Sequence, residues 1–145
     1  MNLSANKPTK AFWLIGIIAL FWNIMGVMAY LMQAFITDEA KALLPEPEQA
    51  YYNGIPVWVT AAFAIAVFSG LLGCIALLLK RKIAYLLFII SLITVIIQFI
   101  YNFFIQEFMD VSGFSKIIMP IIVMLIAFFL VWYSKECIKK GWLFK

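Results

Sequence analysis

Asn23, Tyr30 and Gln33 lie on one long apolar stretch, and Thr94, Gln98 and Asn102 lie on another. In both, helical spacing gathers the polar groups on one side. Ala19, Asn23, Gly26, Tyr30 and Gln33 step by four, three, four and three, and Ser91, Thr94, Gln98, Asn102 and Gln106 step by three, four, four and four. At about 100° per residue each set forms a narrow stripe. Amides both donate and accept hydrogen bonds, and Trp22 and Tyr30 add ring faces beside them. That chemistry suits a neutral, hydroxyl-rich solute such as a sugar or polyol, and it does not suit an ion. The plainer use of the same groups is as glue between helices, worth about 0.6 kcal/mol per contact on average.

Other chemistries lack their groups. The chain has no His, and its apolar stretches hold no Asp, Glu, Lys or Arg. Proton-coupled transport usually uses an intramembrane carboxylate or His, and zinc hydrolysis needs His or Cys ligands at set spacing. A serine nucleophile needs a base. Cys74 and Cys137 form no CxxC pair and are expected to be free thiols. The expectation is a chain that is not an enzyme and needs no cofactor or metal.

The elements that carry the stripes are four apolar runs, at about 12–36, 57–79, 83–105 and 117–134. About 20 helical residues cross the hydrocarbon core, and only helices or closed barrels satisfy their backbone there. Barrel strands would alternate over about ten residues; these runs are continuous. The fold expected is all-α, a polytopic four-transmembrane-helix bundle forming one membrane domain over residues 1–145. The first run is too long for the apolar core of a signal peptide and reads as a retained span.

Charge orients the bundle. Of the 11 basic residues, Lys7, Lys10, Lys80, Arg81, Lys82, Lys135, Lys139, Lys140 and Lys145 flank alternate ends of the runs. The other two connections carry only Lys41 and Lys116 but most of the acids: Asp38, Glu39, Glu46, Glu48, Glu107 and Asp110. Lys and Arg stay on the cytoplasmic side, so both termini are expected inside. The net charge of +4 comes from these flanks, so nucleic acid is not an expected partner; the lipid bilayer is.

Asn23, Tyr30 and Gln33 sit nearly level with Thr94, Gln98 and Asn102, counted from the outer ends of their runs at 1.5 Å per residue. If the two runs face each other, they share a polar cleft open to the outside. The second run offers a small-residue face, Ala62, Ala66, Ser69 and Gly73 with Gly70 and Cys74 adjacent, which lets backbones approach closely. The fourth run is apolar all round, with Ala127 its only small residue, and is expected to have the most lipid contact.

The segments Phe12-Trp13-Leu14-Ile15, Trp22-Asn23-Ile24-Met25-Gly26-Val27-Met28, Ile55-Pro56-Val57-Trp58 through Phe68, and Val131-Trp132-Tyr133-Ser134 through Lys140-Gly141-Trp142 carry a resemblance. They resemble a family of small bacterial four-span membrane proteins often labelled "sugar transporter". The resemblance covers nearly the whole chain and implies a bacterial inner membrane. Two functions follow as alternatives: binding or permeation of a small neutral solute through the cleft, or a structural or assembly role through helix packing with partners. Four helices enclose little volume, so permeation calls for a homo-oligomer.

Overall fold

Thr9 starts the first helix. Its hydroxyl accepts the Phe12 N–H at 3.4 Å, satisfying a backbone donor that a helix start leaves unpaired. The computed structural model describes residues 7–101 and 118–144. Within them the helices are α1 (Lys10–Ala34), α2 (Asp38–Ala42), α3 (Glu46–Gly54), α4 (Val57–Leu78), α5 (Ile83–Ile100) and α6 (Ile118–Lys139). There is no strand among the described residues.

Four helices, α1, α4, α5 and α6, are long and apolar enough to cross a membrane. The chain is thus an all-α bundle with the character of a multi-pass membrane protein. The helix bounds differ from the apolar runs at both ends of the bundle. α1 begins two residues before its run because Thr9 caps it, and α6 continues to Lys139, past the end of its apolar stretch. The expected end of the third run, residues 102–105, lies outside the described residues.

Neighbouring long helices run antiparallel. α4 packs on α1 and on α5, and α5 packs on α6. Small residues of α4 make two close approaches. A side chain added at Gly73 would come within 2.7 Å of the Phe88 ring on α5. One added at Gly70 would overlap the Asn23 amide oxygen on α1 and come within 3.3 Å of the Ser91 hydroxyl on α5. Ala62, Ala66, Ser69, Gly70, Gly73 and Cys74 are all buried, as the small-residue spacing leads one to expect. The polar stripes of α1 and α5 thus converge on α4, which lies between them.

Lipid exposure differs from the expectation. Only 11% of the apolar window of α1 is buried, against 22% for α6. The close packing of α1 is with α4, whereas the chain following α6 folds back under the bundle and covers its end. Thr37 caps α2, accepting the Ala40 N–H at 3.1 Å. Gln49 on α3 donates to the Leu44 carbonyl at 2.7 Å and ties α3 to the end of α2.

The end of the bundle that carries the basic residues is closed by two matched turns. α4 ends with Lys80 at φ 60°, and the N–H groups of Lys80 and Arg81 reach the carbonyls of Leu77 and Ala76. α6 ends with Gly141 at φ 79°, and the N–H groups of Gly141 and Trp142 reach those of Ile138 and Cys137. Both are Schellman closures, which consume carbonyls a helix end leaves free. The Phe144 N–H then donates to the Lys80 carbonyl at 2.9 Å, joining the two turns. Phe12, Leu77, Cys137, Trp142 and Leu143 form a packed layer there.

Candidate functional site

Above that packed layer the bundle holds a cavity of about 390 Å³, with walls from α1, α4, α5 and α6. This lies within the roughly 300–1,000 Å³ usual for ligand sites. It extends from Gln33, Gln98 and Pro120, near the acidic end, down to Asn23 and Leu130 at mid-bundle. No Asp, Glu, Lys or Arg lines it among the described residues.

Four polar side chains reach its wall, and they divide into two levels. In the lower level, the Asn23 amide nitrogen donates to the Ala19 carbonyl at 2.8 Å and to the Cys74 sulfur at 3.2 Å. Its oxygen lies over Gly70. The Ser91 hydroxyl donates to the Ala66 carbonyl at 2.8 Å, from α5 to α4. These groups are already engaged, and they hold α1, α4 and α5 in register. In the upper level stand Gln33 and Gln98, and neither amide has a hydrogen-bond partner among the described residues. A fully buried amide without a partner costs roughly 1–3 kcal/mol. These two are half-buried, so water or a ligand has reason to sit there.

The expected residues distribute as follows. Trp22, Asn23, Gln33 and Gln98 line the cavity. Tyr30 lies off it, with its ring 5.6 Å from that of Phe63 and 5.8 Å from that of Phe68. Thr94 turns its hydroxyl back to the Ile90 and Ser91 carbonyls of its own helix, at 3.0 and 2.9 Å. Asn102 lies outside the described residues. Asn23 bonds to Cys74 on α4, and the Tyr30 ring packs on Phe63 and Phe68, while Gln33 and Gln98 line the same cavity.

Helical spacing gives no hint of the α6 wall. Pro120, Val123, Ala127 and Leu130 all face the cavity. The only sequence signal for it is Ala127, whose small side chain leaves space on an otherwise bulky helix. Cys74 and Cys137 are both free and buried.

No family model matches the chain, and no match is found among curated proteins or solved structures.

Proposed function

We propose that this chain is an integral protein of a bacterial inner membrane, with both termini cytoplasmic, whose central cavity binds a small neutral solute from the outer side. The observation that carries this reading is the pair of amides, Gln33 and Gln98, that have no partner among the described residues and stand on the wall of a cavity to which those residues bring no charge. Amide groups without protein partners are ready to meet hydroxyl or carbonyl groups of a guest. The packed layer of Phe12, Leu77, Trp142 and Leu143 lies beneath the cavity, which favours entry from the acidic end. The basic flanks set that end outside. The resemblance to proteins labelled "sugar transporter" belongs to this proposal and agrees with a hydroxyl-bearing solute. Release to the cytoplasm would require the lower layer to open or a second copy to complete a path.

The test is the Gln98→Cys variant in a chain with Cys74 and Cys137 replaced by Ala. An impermeant thiol reagent added outside intact cells should label it, and saturating neutral polyol or sugar should slow that labelling. A Gln98→Cys thiol that stays refractory in the folded protein would instead favour the structural or assembly role, with the amides serving packing alone.

A further inference from the structure

The two levels of the cavity differ in what they offer a guest, and that difference specifies the guest further than neutrality does. In the lower half the donors of two side chains are spent: both hydrogens of the Asn23 amide are used, and the Ser91 hydroxyl is donated to Ala66. Most of the surface left for a ligand there is carbon, from Val123, Ile126, Ala127 and Leu130 on α6 and Met25 on α1. At the upper level the amides of Gln33 and Gln98 keep both donors and acceptors without a partner among the described residues. A free sugar would lose its water around every hydroxyl yet find partners at one end only, and unpaired polar groups are costly to bury.

Access and depth point the same way. Close packing joins α1 to α4, α4 to α5 and α5 to α6, but no comparable packing joins α1 to α6 among the described residues. The cavity therefore has a lateral side between those two helices, where Met25 is 60% exposed. From Pro120 to Leu130 is about 15 Å at 1.5 Å per residue. That is the hydrocarbon depth of one leaflet, half of roughly 30 Å.

Resting on the reading of the cavity as a ligand site, we propose that its ligand is a neutral single-chain amphiphile of the outer leaflet. Its hydroxylated head meets the amides of Gln33 and Gln98, and its chain runs down the α6 wall to Leu130, entering between α1 and α6. A head bearing a phosphate is disfavoured because no cation lines the site among the described residues.

The probe is a single-chain glycerol ether with a diazirine at the chain terminus, added to the full-length protein in lipid nanodiscs. Crosslinks are mapped by mass spectrometry. The proposal expects labelling at Ala127 or Leu130, reduced by excess unlabelled monoacylglycerol but not by the matching single-chain phosphate ester. Gln33→Leu with Gln98→Leu, two partly exposed positions whose change leaves the helix packing intact, should weaken that competition roughly tenfold, as the loss of two modest hydrogen bonds implies. Leu125 and Phe128 are exposed and report ordinary boundary lipid, so labelling there should be unaffected by either competitor. Crosslinks confined to Leu125 and Phe128, or labelling of Ala127 and Leu130 indifferent to the double variant, would overturn the amphiphile. If free sugar still protects the Gln98→Cys thiol in that case, the neutral-solute reading stands without it. If that thiol is refractory as well, both fall.

Discussion

Asn23 shows how a side chain's place can be legible in the sequence while its partner is not. Its place on a polar stripe follows from helical period alone. Its partner does not: the bond to Cys74 depends on how α4 slides against α1, and periodicity within one helix says nothing about register between two. Thr94 differs: the spacing puts it on its stripe, but its hydroxyl is taken by its own helix. The small residues of α4 were legible because closeness needs only the absence of a side chain. Gly73 gives the sharpest expectation at this scale. Even a Cβ there would meet the Phe88 ring at 2.7 Å, and Phe88 is buried. Gly73→Leu should lower thermal stability in detergent, by about 1–3 kcal/mol as overpacked cores do. Leu72→Ala, at a 52% exposed neighbour, should change little under the same measurement. Equal Tm values for wild type and Gly73→Leu would mean that α4 and α5 are not packed on this face.

At the scale of elements, hydropathy reports where lipid contact ends and not where a helix ends. The fourth apolar run stops near Tyr133, but α6 continues to Lys139, and Ser134 and Cys137 on that extension are fully buried. The closure that follows also could not be read from apolarity. It depends on backbone geometry: Gly141 at φ 79° after α6 and Lys80 at φ 60° after α4, stitched by the Phe144 N–H to the Lys80 carbonyl. The two positions should respond in opposite ways. A left-handed residue with a side chain costs roughly 1–2 kcal/mol, so Gly141→Val should destabilise by about that amount and loosen the Trp142 contact with Phe12, whose rings lie 5.8 Å apart. Lys80→Gly should leave stability unchanged or raise it by up to about 1 kcal/mol, the relieved strain being set against the freedom glycine has when unfolded. Intrinsic Trp fluorescence followed during thermal unfolding reads both. A Lys80→Gly loss as large as that of Gly141→Val would show that the Lys80 side chain, 5.9 Å from the Trp13 ring, matters more than its backbone angle.

For the whole molecule, the opposed charge of the two ends decides what the cavity can meet. Nine of the 11 basic residues flank the end where Trp142 and Leu143 seal the bundle, and the acidic α2–α3 connection stands at the end toward which Gln33 and Gln98 lie. If positive charge is retained inside, the cavity faces outward and the seal inward; with the opposite insertion it would draw from the cytoplasm. The direction of the proposed site is therefore a statement about topology. Glu39 and Lys139 are exposed at opposite ends, and neither lines the cavity. In a background with Cys74 and Cys137 replaced by Ala, Glu39→Cys should be labelled by an impermeant thiol reagent on intact cells, and Lys139→Cys only after permeabilisation. Adding Arg to the connection at Ala42 and Leu43 while replacing Lys80, Arg81 and Lys82 by Gln narrows the asymmetry, and should raise the Lys139→Cys signal on intact cells at the expense of Glu39→Cys. Equal labelling of both sites in the unaltered background would remove the outward assignment, and with it the claim that the solute or amphiphile arrives from the outer leaflet.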